Sequence, residues 1–212
     1  MLHQICFIRK EALTLHNKAH PMVKAQNIYI IAGCNGAGKT TASYTILPEI
    51  LKCDEFVNAD EIAKGLSPFK PESVAIEAGR LMLERIEALL NVEASFAIET
   101  TLATRSYKNL ILKAQRLGYK VTLLFFWLQS PALAADRVRQ RVSQGGHNIP
   151  LDVIYRRYDA GLRNLFNLYI PVVDTWFIYD NSAGEASPIA NGDKIINEDL
   201  FEKIRNYGQQ RL

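Results

Sequence analysis

No long apolar segment runs through this sequence. Its apolar runs are shorter than the roughly 20 residues that a membrane-spanning helix needs. Arg9, Lys10 and Glu11 interrupt the apolar core that a signal peptide would require. The sequence therefore predicts neither a membrane span nor a secretory leader.

Cysteine and net charge are also scarce. The three cysteines, Cys6, Cys34 and Cys53, are odd in number and lie in the N-terminal quarter, which favours free thiols in a cytoplasmic protein over a disulfide framework. The formal net charge of +3 is too small to indicate nucleic-acid binding by itself. We therefore expect neither a membrane nor a nucleic acid as a partner.

Internal repeats, low-complexity segments and linker-like stretches are absent as well. The 212 residues, 48% of them apolar and 22% charged, suit an α/β protein with a sizeable core. We expect residues 1–25 to form an N-terminal appendage and residues 26–212 to form a single domain.

The segment GCNGAGKT, residues 33–40, is the motif around which the chain is organised. The apolar, β-branched residues 27–32 before it predict a buried strand, and residues 40–47 after it are typical of a helix that ends at Pro48. A strand, the pattern G-x-x-x-x-G-K-[ST] and a helix, in this order, predict a phosphate-binding P-loop. The predicted nucleotide-binding residues are Gly33, Cys34, Asn35, Gly36, Ala37, Gly38, Lys39, Thr40 and Thr41.

The glycines of this loop explain why the pattern binds phosphate. Gly33, Gly36 and Gly38 let the backbone turn tightly, so that its N–H groups and the helix N-terminus form an anion site. Lys39 would reach the β- and γ-phosphates, and the Thr40 hydroxyl would hold Mg²⁺. The motif predicts a bound nucleoside triphosphate but does not indicate the fate of its phosphate.

Polar side chains follow two further predicted strands at the sheet edge where α/β proteins bind ligands. After residues 55–58, Asp60 is either a plain helix N-cap or a member of the site. Residues 95–99 end in a carboxylate that is followed by two hydroxyls. Strand termination with a threonine cap does not explain the carboxylate, so we treat all three as candidates: Glu99, Thr100 and Thr101.

The clearest predicted helix spans about residues 71–93 and has an apolar stripe at helical spacing. Arg80 lies on the opposite face, one turn from both Glu77 and Glu84, which is typical of a surface ion-pair ladder. We also keep Arg80 as a candidate substrate-binding residue.

Arginines cluster after the apolar run at residues 123–128, which is typical of a strand buried on both faces of a parallel sheet. Two predicted helices flank the pair Gly145-Gly146, which indicates a lid over about residues 137–160. The lid arginines have three possible roles. They could bind the transferred phosphoryl group, form a solvated basic face, or form a nucleic-acid-binding patch. These arginines are Arg137, Arg139, Arg141, Arg156 and Arg157.

The ordered set of motifs resembles the compact branch of the zeta toxin family of P-loop kinases. The matching segments are GCNGAGKT, NAD at 58–60, ETT at 99–101, RVRQRVSQGGHNIP continuing to IYRRY, and YDNS at 179–182. The P-loop is generic, whereas the order of the other segments is more specific. The resemblance covers about residues 27–191.

The resemblance implies a three-layer α/β P-loop NTPase fold, in which helices flank a parallel sheet and an arginine-bearing helical lid covers the site. It also implies an ATP- and Mg²⁺-dependent kinase that phosphorylates a hydroxyl of a small molecule. The best-known members of the family phosphorylate UDP-N-acetylglucosamine, and antitoxin proteins neutralise them.

Carried over by position, the resemblance implies roles for individual residues. Asp60 would be the base that receives the proton of the acceptor hydroxyl, while Lys39 and Thr40 hold ATP and Mg²⁺. Glu99, Thr100 and Thr101 would bind the substrate. Arg141 and Arg157 would be the catalytic lid arginines. The match among these two and Arg137, Arg139 and Arg156 stays open, because the lid varies within the family.

Two other functions remain as alternatives. A nucleic-acid end kinase would use the basic lid as a clamp, and its binding would weaken steeply with salt; the low net charge and the lack of an aromatic-and-basic stripe count against it. An NTP-binding regulatory module would bind ATP without transferring phosphate. Asp60 and Glu99, both at strand ends, count against that module.

Overall fold

The computed structural model describes residues 26–146 and 148–209, so the predicted appendage at residues 1–25 and His147 lie outside the described residues. The strands are β1 (Asn27–Gly33), β2 (Phe56–Val57), β3 (Phe96–Thr100), β4 (Lys120–Trp127), β5 (Thr175–Asp180), β6 (Ser187–Asn191) and β7 (Lys194–Ile195). They form one seven-stranded sheet in the order β2-β3-β1-β4-β5-β6-β7.

The helices alternate with the strands along the chain. They are α1 (Lys39–Thr45), α2 (Ala59–Leu66), α3 (Ala75–Asn91), α4 (Tyr107–Arg116), α5 (Pro131–Ser143), α6 (Leu151–Asn164) and α7 (Glu198–Gln209). π-Helical segments at Ile46–Leu51 and Leu165–Tyr169 continue α1 and α6, and a 3₁₀ turn at Pro71–Val74 leads into α3. Across residues 26–146 and 148–209, no helix combines the length and apolarity that crossing a membrane demands.

The P-loop strand lies in the middle of the sheet. β1 pairs in parallel with both β3 and β4, and β2 and β5 extend the parallel part on either side. The residues of β4 after Lys120 are all buried, which confirms the strand that was predicted to be covered on both faces. Because these strands are parallel, the carboxyl ends of β1, β2 and β3 meet at one edge of the sheet.

The C-terminal hairpin adds antiparallel strands to this sheet. β6 pairs antiparallel with β5, and β7 with β6, around the Asn191-Gly192 turn. That dipeptide favours a tight hairpin connection. The sequence predicts a hairpin here, with residues 188–190 and 194–196 on either side of the turn, and the strand pairing confirms it. The sheet is therefore mostly rather than wholly parallel.

Two helix boundaries differ from the prediction. The helix after the P-loop does not end at Pro48, which lies within the π-helical segment Ile46–Leu51. Proline lacks the N–H of a regular α-helical bond, and the chain passes Pro48 in the π-helical segment instead of ending the helix there. The sequence also predicts Thr104 as the cap of the next helix, but Ser106 holds the cap position of α4 without a side-chain cap bond. The Thr104 hydroxyl lies 3.3 Å from the Ser106 hydroxyl.

Candidate active site

The P-loop follows β1 and is braced by the segment that leaves β5. Gly36 and Gly38 both have φ of 79°, a left-handed conformation that glycine adopts without steric cost. A Cβ on Gly38 would lie 2.6 Å from Asn181 Nδ2, and the same amide donates a hydrogen bond to Ala37 O at 2.8 Å. The loop therefore keeps its curvature through a contact that requires glycine.

Arg137 braces the P-loop from α5. Its Nη2 donates to Asn181 O at 2.8 Å and to Ser182 O at 2.9 Å, and its Nη1 donates to Gly36 O at 3.5 Å. The planar guanidinium suits such a set of acceptors better than an ammonium group would. Arg137, predicted as a lid residue, is thus tied to the loop after β5 and to the P-loop.

Glu99, at the end of β3, connects the two polar side chains of the P-loop motif. Lys39 Nζ lies 3.5 Å from Glu99 Oε1, and these side chains are only 7% and 8% exposed. Thr40 Oγ1 donates to Glu99 Oε2 at 2.8 Å. Lys39 Nζ also donates to Cys34 O at 3.0 Å. The carboxylate predicted to bind substrate therefore contacts both the phosphate-binding lysine and the predicted magnesium ligand.

Asn58 joins the same cluster and was missed as a functional residue. Its Nδ2 donates to Glu99 Oε2 at 2.9 Å, while its Oδ1 accepts the Asp60 N–H at 2.9 Å and so caps α2. An asparagine directly before a predicted helix was the available signal. Asn58, and not Asp60, is therefore the N-cap of α2, so the Asp60 carboxylate does not cap the helix.

A cavity of about 280 Å³ brings these groups together. Asp60, Glu99 and Arg141 line it beside the P-loop, which agrees with their predicted membership of one site. Glu61 and Lys64 also line it and were not predicted, although both follow Asp60 within one helical turn. Among the described residues, the lining consists of Asn35, Gly36, Gly38, Lys39, Thr40, Thr41, Asp60, Glu61, Lys64, Glu99, Arg137, Arg141 and Gly146.

The lid arginines differ in where they lie. Gly146 packs so closely on Arg141 that a Cβ there would lie 2.5 Å from Arg141 Cγ, and Arg141 lines the cavity. Arg157 Nη1 donates to Asn35 Oδ1 at 3.3 Å, so it touches the P-loop without lining the cavity. Arg139 and Arg156 are exposed.

Two of the more peripheral arginines pair on their own helices. Arg139 is paired with Asp136, one turn earlier on α5. Arg80 Nε lies 3.8 Å from Glu84 Oε1 on the exposed face of α3, as the surface ion-pair interpretation predicts. The structure does not bring Arg80 into the cavity lining that it describes.

The two threonines after Glu99 hold a turn. Thr100 Oγ1 accepts the Leu102 N–H at 3.1 Å, and Thr101 Oγ1 accepts the Ala103 N–H at 3.4 Å. Leu102 is buried with φ of 57°, a left-handed conformation that costs a branched residue about 1–2 kcal/mol. Asn164 Nδ2 donates to Leu102 O at 2.7 Å. These bonds stabilise the strained turn that follows β3, which is the strand-termination role kept as the alternative for the two threonines.

Cys34, the cysteine of the P-loop, has an unreactive thiol. Burial raises the pKa of the Cys34 thiol to about 11, against the opposing effect of Lys39. A thiol is nucleophilic only as the thiolate. Cys34 therefore stays protonated at neutral pH and contributes packing and its carbonyl oxygen.

Comparisons with known proteins extend this description. The family model for the zeta toxin matches residues 10–183. An uncharacterized protein of Haemophilus influenzae is 26% identical over 151 residues, which are 71% of this chain and 99% of that protein.

Solved structures resemble the fold over nearly the whole chain. A chain of the AvrRxo1-ORF1:AvrRxo1-ORF2 complex with sulphate ions has a TM-score of 0.70 at 19% identity, covering 96% of this chain and 70% of that one. The same complex with ATP gives a TM-score of 0.68 at 21% identity with the same coverage. A chain of the PezAT chromosomal toxin–antitoxin system of Streptococcus pneumoniae gives 0.62 at 16% identity, covering 99% and 95%.

These likenesses confirm the predicted fold, a mostly parallel P-loop NTPase sheet flanked by helices. The family model covers most of the chain, including the P-loop and the residues that line the cavity. The protein therefore belongs to the zeta toxin family and is a P-loop kinase, an enzyme that transfers phosphoryl groups.

Proposed function

We propose that this kinase transfers the γ-phosphoryl group of ATP to a hydroxyl of a small molecule, with UDP-N-acetylglucosamine or a related sugar nucleotide as the acceptor. The contacts of Glu99 carry the proposal, because one buried carboxylate joins Lys39, Thr40 and Asn58 in a cavity that Asp60 also lines. The similar fold that was solved with ATP supports the choice of nucleotide.

The residues present fit a magnesium ion. Mg²⁺ takes hard oxygen ligands and is usually held by one or two protein groups, with phosphates and water completing its shell. Thr40 Oγ1 and Glu99 Oε2 are such ligands, 2.8 Å apart. Within the described residues, no group of three His, Cys, Asp or Glu side chains could hold a metal alone. When bound, the ion would neutralise charge on the β- and γ-phosphates.

The chain's own residues would position and neutralise the reacting groups. Lys39 and the P-loop N–H groups bind the β- and γ-phosphates. Asp60 accepts the proton of the acceptor hydroxyl while the hydroxyl oxygen bonds to the γ-phosphorus. The bond between that phosphorus and the β–γ bridging oxygen breaks, and ADP is released. Arg141 from the cavity wall, and Arg157 after it leaves Asn35, offset the charge on the transferred group.

An antitoxin protein is the partner that we propose. The PezAT system is a toxin–antitoxin system, and AvrRxo1-ORF1 was solved together with AvrRxo1-ORF2. The position of the protein in the cytoplasm stays a prediction from its cysteines.

Phosphorus NMR with ATP, Mg²⁺ and UDP-N-acetylglucosamine tests this function. We expect a new sugar-phosphate resonance, and Asp60→Asn should slow its formation by about 10²–10⁴-fold, the usual contribution of a general base, while ATP binding is retained. Asp199→Asn, which alters an exposed carboxylate in the first turn of α7, should behave as the wild type. Full turnover by Asp60→Asn would refute the role of Asp60. ATP that stays intact with this acceptor would refute the sugar nucleotide.

A further inference from the structure

Helix α2 places the cation of Lys64 in the cavity. No step of the proposed transfer uses this cation. Asp60, Glu61 and Lys64 of α2 all line the cavity. Residues four apart lie on the same face of a helix, separated by about 6 Å along its axis. Lys64 therefore lies one turn beyond the carboxylate that we assign to the acceptor hydroxyl.

Among the described lining residues, the other cations either bond protein groups or belong to the predicted lid. Lys39 bonds Cys34 O and pairs with Glu99, and Arg137 donates to backbone carbonyls. Arg141 comes from α5, the first helix of the predicted lid. Lys64 is the lining cation on the same helix as Asp60.

Among the residues that the structure describes, Glu61 is the one that pairs with Lys64, and this ion pair is local and weak. Its Nζ lies 2.5 Å from Glu61 Oε1, and the two side chains are 47% and 37% exposed. Exposed ion pairs three residues apart on a helix contribute little, because water screens them and both side chains lose freedom. An anionic ligand could therefore displace Glu61 from Lys64 at small cost.

We propose that Lys64 binds an anionic group of the acceptor, so that the acceptor is a hydroxy compound that also carries a phosphate or carboxylate. This inference rests on the proposed function, since Asp60 marks the place of that hydroxyl. Neutral sugars and polyols leave Lys64 without a ligand and bind more weakly. Glu61 competes with the acceptor's anionic group for Lys64, which lowers the affinity of the protein for the acceptor.

Isothermal titration calorimetry tests the inference without turnover. The protein is first saturated with Mg²⁺ and β,γ-imido-ATP, so that the P-loop is filled. The probes are UDP-N-acetylglucosamine, neutral N-acetylglucosamine and inorganic phosphate. We expect the anionic probes to bind, Lys64→Ala to weaken them about tenfold or more, and Lys64→Arg to restore most of the affinity.

Two further variants sharpen the result. Lys113→Ala removes a lysine whose Nζ also lies 2.5 Å from a glutamate, Glu87, with the two side chains 49% and 50% exposed, but Lys113 does not line the cavity. This matched variant should bind all probes as the wild type does. Glu61→Gln should tighten the anionic probes, because it removes the competing carboxylate.

The outcomes separate this inference from the proposed function. Equal affinity of the wild type and Lys64→Ala for the anionic probes, equal binding of the neutral sugar, or no binding of any probe would overturn the role of Lys64. A protein that binds anions through Lys64 but transfers no phosphoryl group to any of them would contradict the proposed function alone.

Discussion

At the scale of single residues, Glu99 is the side chain whose assignment changes most between sequence and structure. Its position after a strand predicted a substrate contact. In the structure its carboxylate accepts hydrogen bonds from Thr40 and Asn58 and pairs with Lys39. These partners belong to the phosphate and metal side of a P-loop site, so we assign Glu99 to magnesium binding in the proposed mechanism.

Glu99→Gln distinguishes the two roles. If the carboxylate binds Mg²⁺, the variant should lose about 10²–10³-fold in kcat, and half-maximal activity should need a higher Mg²⁺ concentration, because a neutral amide is a weaker ligand for a hard cation. Steady-state kinetics over a series of Mg²⁺ concentrations measures both effects. Glu202→Gln, in an exposed pair with Arg205, is the control.

A different pattern would return Glu99 to its first assignment. A raised KM for the acceptor with an unchanged Mg²⁺ dependence would show that the carboxylate contacts the acceptor instead.

At the scale of elements, helix α6 is anchored from Tyr158 onward, although the predicted lid extends to about residue 160. Tyr158 Oη donates to Leu128 O at 2.6 Å, and its ring meets that of Tyr207 edge-on at 5.7 Å. A Cβ on Gly161 would lie 2.5 Å from Thr101 O. The helix thus rests on the turn after β3 and on α7. If the predicted lid moves, we expect the movement in the segment before this anchor.

Gly161→Ala should therefore disturb the turn that carries the predicted substrate residues. The added methyl group meets a backbone carbonyl that cannot move aside like a flexible side chain, so we expect a loss of about 1–3 kcal/mol in the free energy of unfolding. Urea denaturation measures this loss.

Gly79→Ala in α3 is the matched control. A Cβ there meets nothing within 4 Å, and alanine is a better helix former than glycine, so this variant should gain about 0.5–1 kcal/mol. A stable Gly161→Ala variant would contradict the close packing of α6 on the turn.

At the scale of the whole molecule, the core buries thiol and phenol groups whose ionised forms burial disfavours. Burial raises the pKa of Cys53 to about 11 and that of Tyr29 to about 12, as it does for Cys34. A group whose pKa is raised stays protonated in the folded state while the unfolded chain ionises. Its contribution to stability is full below the unfolded pKa and is lost as the pH rises through the folded one.

The free energy of unfolding should consequently fall between pH 8 and pH 10. For Cys53 the unfolded thiol has a pKa of 9.0, so ionisation of the unfolded chain removes about 1.4 kcal/mol at pH 10. The variant Cys53→Ala should lack this share of the decline. Denaturant unfolding of both proteins at a series of pH values measures this share, with the difference between their free energies of unfolding at pH 7 as the reference. An equal decline of the free energy of unfolding with pH in both proteins would contradict the burial effect.

Much of the fold follows from local patterns that the sequence carries. Residues 27–40 combine a β-branched apolar run with glycines and a helix start, and they form β1, the P-loop and α1. The apolar run in β4 and the turn at Asn191-Gly192 also hold in the structure. Pro48 and Thr104 were wrong as boundaries, because a π turn and a neighbouring hydroxyl offered local alternatives that residue preferences do not describe.

The site depends on contacts that only the tertiary structure decides. Thr40 and Glu99 are 59 residues apart in the chain, and Asn58 is 41 residues from Glu99. They meet because β3 lies between β1 and β2 with parallel register, and strand order is set by the packing of the whole sheet rather than by any one segment. The sequence by itself determined which side chains could bind phosphate and accept a proton; the sheet order decided that Glu99 joins Lys39, and the fold brought Lys64 into the cavity.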